Sequence, residues 1–314
     1  MTSLDDGVAA MLAVLDAGFP ALETMTAEQA RAAINARVVV PAEVAQVEVS
    51  QHVLAGADGF GVRVYQPYGN RTTAAVLFCH GGGFVLCDLE SHDAFCRELC
   101  LHTGMTVVSV DYRRAPEHRA PAAALDCIAA FDWLTEHAGH LGVDADRVVV
   151  AGDSAGGNLA AVTAIYCRDR GGRQPIGQVL LYPVIDPSFD TPSYRTFATG
   201  HFNTRAAMQW YWQHYLGGTT LPEPAHLVAP ARAESHAGLP PAVVVTARLD
   251  PLHSEGVDYV GKLRSAGVSV LHRDYPGLFH GFLTMMMFPA ASAARQLLWS
   301  DIAQLAVAVP APQP

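Results

Sequence analysis

The hydrophobic and polar positions of this chain alternate between two rhythms. From residue 74 onward, short unbroken apolar runs recur at 74–79, 106–110, 147–151, 178–182 and 242–246. Helix-length segments separate or follow them, at approximately 90–103, 120–139, 155–169, 204–216, 253–266 and 289–308. A strand that is apolar throughout is buried on both faces, so this repetition predicts a mostly parallel sheet covered by helices. Two earlier β-rich runs, 44–54 and 61–65, flank Ala57-Asp58-Gly59, a hairpin signal. The expected fold class is therefore α/β, with a mixed sheet that opens antiparallel. Residues 1–43 read as helical, ending near Pro41. The stretch 184–236 breaks the rhythm with several prolines and the aromatic helix segment Trp210, Tyr211, Trp212 and Tyr215. A long insertion at the carboxyl ends of sheet strands is usually a lid or cap. The proline-rich tail 309–314 is expected to fray.

Composition narrows the picture. The chain has 314 residues, half of them hydrophobic and 16% charged, which suits a packed enzyme core that needs no disulfide or metal. A formal charge of −10 argues against nucleic acid as a partner, because binding its phosphates requires clustered Lys and Arg. The densest cationic stretch, 168–173, is interrupted by Asp169 and two glycines and reads as a solvated loop. The six cysteines show no CxxC spacing, so they are expected to be buried free thiols in a reducing, cytoplasmic setting. Asp5, Asp6 and Asp16 surround the apolar run 8–15. That start lacks the cationic region and cleavage site of a signal peptide. With no run of about 18 apolar residues, no membrane span is expected.

The chemistry gathers at three places. Gly152-Asp153-Ser154-Ala155-Gly156-Gly157 stands between a β-rich run and a helix-competent one. Gly-x-Ser-x-Gly in that context is the nucleophile elbow of α/β-hydrolases. The sharp turn strains the serine backbone, and side chains at Gly152 or Gly156 would collide with the neighbouring strand and helix. His80-Gly81-Gly82-Gly83 follows directly on another apolar strand. Such a loop supplies backbone oxyanion donors in lipases and esterases, here assigned to the N–H groups of Gly82 and Gly83, joined by that of Ala155. A phosphate loop would end in Gly-Lys-Ser/Thr, which is missing.

A serine hydroxyl needs an imidazole to take its proton. His280 follows the β-rich run 268–275 in an expected Pro276-Gly277 turn, and this fold orders its triad serine, acid, histidine. His253 lies too close to the start of a helix, and His272 sits inside a strand pattern. Asp250 ends the run 242–246 through Ala247-Arg248-Leu249 and precedes Pro251, which suits the first turn of a helix. Asp274, Asp258 and Glu255 are rivals read as surface or supporting carboxylates. For substrate contacts, Phe84, Leu86, Trp210, Tyr211, Trp212 and Met285–Met287 are candidates, with ordinary core packing an equal alternative.

Taken together, these motifs resemble the hormone-sensitive-lipase-like esterases, bacterial lipase family IV. Added to the loop and elbow are Asp111-Tyr-Arg-Arg-Ala-Pro-Glu-His118, Leu180-Leu-Tyr-Pro183, Asp250-Pro-Leu252 and His280-Gly-Phe282. The resemblance implies an α/β-hydrolase fold and carboxylesterase activity without a cofactor or metal. It also implies the triad Ser154, Asp250 and His280, and a stretch Tyr112–His118 that braces the site from below. The expected organisation is an N-terminal cap segment 1–43, core 44–183, cap insertion 184–236 and core again at 237–314. Arg114, Arg119, Ser254 and Phe279 depart from the usual pattern without removing a catalytic group. The expected substrate is a small-molecule ester of short or medium acyl length. The resemblance also raises a homodimer, which nothing in the residues addresses. Two alternatives stay open: an amidase or deacetylase using the same triad, and a non-catalytic ligand-binding protein on this fold, against which His280 argues.

Overall fold

The computed structural model describes residues 5–37, 43–54, 59–69 and 71–307. Its centre is an eight-stranded sheet in the order β1-β2-β4-β3-β5-β6-β7-β8. The strands are β1 (Glu48–Leu54), β2 (Phe60–Gln66), β3 (Ala75–Cys79), β4 (Thr106–Asp111), β5 (Val148–Asp153), β6 (Gly177–Leu181), β7 (Ala242–Leu249) and β8 (Val270–Phe279). β1–β2 and β2–β4 pair antiparallel, and the remaining pairs are parallel. Every apolar run that predicted a parallel strand forms one. The residues 55–58 of the expected hairpin turn lie outside the described residues.

The parallel strands are buried on both faces because their side chains alternate between two cores. Ala75, Leu77 and Cys79 of β3 enter one core, and Val76 and Phe78 enter the other. The first core takes α4 (Ala122–Glu136), α5 (Ala155–Arg170), α7 (Arg205–Leu216) and α8 (His253–Ser265). The second takes α1 (Asp6–Gly18), α3 (Asp93–Thr103) and α9 (Ser292–Val307). All six cysteines are free, and five are buried, as the composition led one to expect.

Strand register sets where the chemistry emerges. Cys79 of β3 is paired with Gly152 of β5, so the glycine loop and the serine turn leave the same edge one residue apart. Leu249 of β7 is paired with Phe279 of β8, so Asp250 and His280 leave side by side. The sequence reading placed a turn at Pro276-Gly277. Instead β8 continues to Phe279, and the pairing shifts between Ala247 and Leu249. β8 is the edge of the sheet, where a proline's missing N–H is tolerated and an irregularity can absorb extra residues.

The two segments outside the core rhythm meet each other. Trp210 Nε1 of α7 donates to Met25 O at 3.1 Å, and Asp16 Oδ1 accepts from Phe202 N at 2.7 Å. Arg31 of α2 (Ala27–Asn35) donates to Val85 O at 2.8 Å and Ala115 O at 2.6 Å, and pairs with Glu117. That guanidinium holds the Glu117 carboxyl down to about 2. Among the described residues, Asp6–Thr24 is a helical stretch long and apolar enough, by length and composition, to cross a membrane. An 18-residue window within it has a mean hydropathy of 1.3, but Asp6, Asp16 and Glu23 lie in the stretch and the α-helix itself ends at Gly18, with Phe19 extended.

Candidate active site

Ser154 sits between β5 and α5 with φ 56° and ψ −118°, a conformation that non-glycine residues adopt only when surrounding structure enforces it. The enforcement is packing. A methyl group on Gly152 would stand 2.2 Å from Gly156 O, and one on Gly156 would stand 1.9 Å from Cys79 O. Only glycine lets α5 and β3 approach this closely. Ser154 N donates to Leu181 O at 2.8 Å, tying the turn to the next strand. The side chain is thereby raised at the N-terminus of a 16-residue helix, whose dipole favours negative charge there.

The structure brings the three triad candidates together. His280 Nε2 lies 2.9 Å from Ser154 Oγ, and its Nδ1 lies 2.7 Å from Asp250 Oδ2. The second Asp250 oxygen accepts from Leu252 N at 2.9 Å, which fixes the carboxylate's rotation. All three side chains are buried. Of the rival carboxylates, Asp258 is exposed on α8 and the other two are engaged elsewhere. Asp274 accepts from Thr246 Oγ1 and pairs with Arg248 and His253, and Glu255 accepts from Ile185 N.

A cavity of about 170 Å³ opens above Ser154 and His280, and Gly82 and Gly83 also line it. Among the described residues, the N–H groups of Gly82, Gly83 and Ala155 donate to no protein acceptor. The glycine loop has no room for side chains. A methyl group on Gly81 would meet Asp153 Oδ2 at 2.4 Å, and one on Gly83 would meet the Tyr211 ring at 2.2 Å. Beneath the loop, Tyr112 OH donates to His80 O at 2.9 Å, and the His80 ring stacks on Tyr112. The stretch expected to brace the site does so. Burial, with His92 nearby, pushes the His80 imidazole down to about 3, so it stays neutral.

Two residues beside the serine were given no role by the sequence reading. Asp153 Oδ1 accepts from Gly81 N at 2.8 Å and lies 3.1 Å from His92 Nε2, and both side chains line the cavity. Burial alone would raise the Asp153 carboxyl, but His92 and the Gly81 N–H outweigh it and hold it below the usual range. Asp153 was visible only as the variable residue of the elbow motif. His92 carried no signal, since it lies in a stretch that reads as an ordinary helix start.

Of the substrate-contact candidates, Leu86, Tyr211 and Met285 line the cavity. Phe84 and Trp210 do not. Phe84 stacks on Tyr215 at 3.8 Å inside the core, and Trp210 turns to Met25. Trp212 is core, and Met286 and Met287 line a neighbouring cleft. Helical spacing explains the split: with about 3.6 residues per turn, Tyr211 points one way and its neighbours another. The N-terminal wall, Phe19 and Ile34, had no local signal because it reaches the site only through tertiary packing.

The sequence profile of the alpha/beta hydrolase fold family matches residues 76–284, a span holding Ser154, Asp250, His280 and the glycine loop. The chain belongs to that family. Within it, the chain falls in the hormone-sensitive-lipase-like branch. This α/β-hydrolase is 41% identical to the carboxylic ester hydrolase LipN of Mycobacterium tuberculosis over 261 residues, 81% of this chain and 69% of that one. It is 35% identical to the ethyl acetate hydrolase of Pseudomonas putida over 300 residues, 90% and 93% of the two chains. The hyperthermophilic esterase from the archaeon Pyrobaculum calidifontis superposes with a TM-score of 0.89 at 35% identity, covering 98% of this chain and all of that one.

Proposed function

We propose that this α/β-hydrolase cleaves carboxylic esters of short to medium acyl length through an acyl-enzyme on Ser154. Its class as an ester hydrolase follows from the family and from relatives named as esterases. The observation that carries the mechanism is the chain of contacts Asp250–His280–Ser154 at the wall of a cavity bordered by two glycine N–H groups. Ser154 Oγ attacks the ester carbonyl while His280 Nε2 takes its proton. Asp250 fixes the imidazole tautomer and stabilises the imidazolium. The carbonyl oxygen becomes an oxyanion facing the N–H groups of Gly82, Gly83 and Ala155. His280 then returns the proton to the leaving alcohol oxygen, and water repeats the sequence on the acyl-enzyme.

The cavity is small and enclosed by Leu86, Tyr211 and the N-terminal residues Phe19 and Ile34, which favours short acyl chains. We read 1–43 and 184–236 as one cap over the core segments 44–183 and 237–314, supported by the Trp210–Met25 and Asp16–Phe202 hydrogen bonds. The same contacts favour reading α1 as a cap helix rather than a membrane span. Six free thiols support a reducing, cytoplasmic setting.

Ser154→Ala tests the mechanism. Turnover of p-nitrophenyl butyrate should fall by several orders of magnitude, with the circular dichroism and melting profile unchanged. A folded variant that keeps its turnover overturns the assignment. Matched ester and amide substrates in the same assay separate ester from amide cleavage.

A further inference from the structure

A second cleft, about 340 Å³, adjoins the active-site cavity and shares Thr284 and Met285 with it. Its far walls are Met11 and Leu15 of α1, Phe95 of α3, and Met286 and Phe288. Its charged lining residues are occupied or at the surface: Glu90 and Asp93 hold Arg63, and Arg37 is exposed. The cleft therefore suits a neutral apolar group and no ionic one. The active-site cavity alone falls below the roughly 300–1,000 Å³ usual for ligand pockets, and the two joined fall within it.

Thr284 and Met285 border both spaces, and of the two only Met285 has a long, flexible side chain that can act as a partition. Its backbone is pinned, because Arg295 Nη1 donates to Met285 O at 3.2 Å and Phe288 N donates to the same oxygen at 2.9 Å. Its side chain is unbranched and only partly buried, so it can swing while the loop stays in place. The direction of the cleft names the occupant. The leaving oxygen must come within reach of His280 Nε2, so the alcohol part of the ester lies on the histidine's side. Gly281, Thr284 and Met285, which follow His280 in the chain, form that side.

We propose that the second cleft is a subsite for the alcohol portion of the ester, entered past Met285, and that it adapts the enzyme to esters of extended apolar alcohols. This rests on the ester-hydrolase reading above. The reaction balance is unchanged: water adds across the ester, and the apolar alcohol leaves with the proton from His280.

The test uses the full chain and two substrate series: acetates of ethanol to octanol, and ethyl esters of acetic to octanoic acid. Met285→Trp should close the partition and lower kcat/KM for octyl acetate relative to ethyl acetate by about tenfold, the scale on which a hydrophobic pocket discriminates. The ratio of ethyl octanoate to ethyl acetate should change less than about twofold on that same scale. Leu15→Trp fills the cleft from its far wall, well away from Ser154, and should move the alcohol ratio the same way. Met285→Ala should raise it. A shift in the acyl series instead, or an unmoved alcohol series in all three variants, overturns the proposal. Wild-type protein inactive on both series would refute the ester reading itself, a result distinct from either.

Discussion

At the scale of single residues, the site depends on a carboxylate that takes no part in proton transfer. Asp153 holds Gly81 N–H from one side while its own backbone leads into Ser154, so one side chain fixes the spacing between the oxyanion loop and the nucleophile. Its folded pKa is depressed. The stability it contributes is therefore present above the ordinary carboxylate range and lost as pH falls through the folded value. Asp153→Leu keeps roughly the volume and removes the acceptor that holds Gly81 N–H. The expected result is a kcat lowered by about 10²-fold, the effect of losing one aligned oxyanion donor. KM should stay within about twofold, because ground-state contacts persist. Steady-state kinetics on p-nitrophenyl butyrate checks this. A KM that rises while kcat holds would mean that Asp153 serves binding rather than loop position.

At the scale of elements, what the sequence made legible was what local pattern controls. Apolar runs of strand length gave the parallel strands β3 to β7 to within a few residues, and the glycine spacing located both loops because no other residue fits there. What stayed hidden depends on contacts between distant segments. The extension of β8 through Pro276 is possible only because no further strand needs that N–H. The choice between Phe84 and Tyr211 as pocket wall is settled by Tyr215 stacking on the former. Glu255 shows the same limit. It was a rival for the catalytic acid, yet it ties α8 to the segment leaving β6 through Ile185 N at 2.8 Å. Burial, with Asp250 and Asp186 adding to it against the Ile185 N–H, pushes its pKa well above the usual range. Its contribution to stability is complete below the unfolded carboxyl's pKa and lost as pH rises toward the folded value, because only the unfolded chain then ionises freely. Glu255→Gln keeps an acceptor for Ile185 and cannot ionise. Thermal melts should show its Tm, relative to wild type, rising from pH 5 to pH 8. A constant difference across that range would mean that Glu255 is already ionised in the folded protein.

At the scale of the whole molecule, stability is distributed unevenly in a way that suits substrate entry. The central strands β3, β5 and β6 are buried at every position, whereas α1 buries only Val8 and Leu12 and α2 only Ala27 and Ala30. Elements with few buried apolar contacts open at lower free energy than the core. These weakly held helices also carry Phe19 and Ile34 into the cavity wall, so opening them uncovers Ser154 without disturbing the sheet. Hydrogen exchange should therefore be fast in 6–35 and slow throughout β3, β5 and β6. A phosphonate ester that phosphonylates Ser154, losing its alcohol group and leaving a tetrahedral phosphorus that mimics the intermediate, would add contacts to Phe19, Ile34 and Tyr211 only in the closed arrangement. Exchange in 6–35 and 205–216 should then slow by about tenfold, which corresponds to roughly 1.4 kcal/mol of added local stability, while the core strands barely change. Protection confined to the serine turn and the glycine loop would show instead that the two helical segments stay closed without ligand, and that substrate enters by another route.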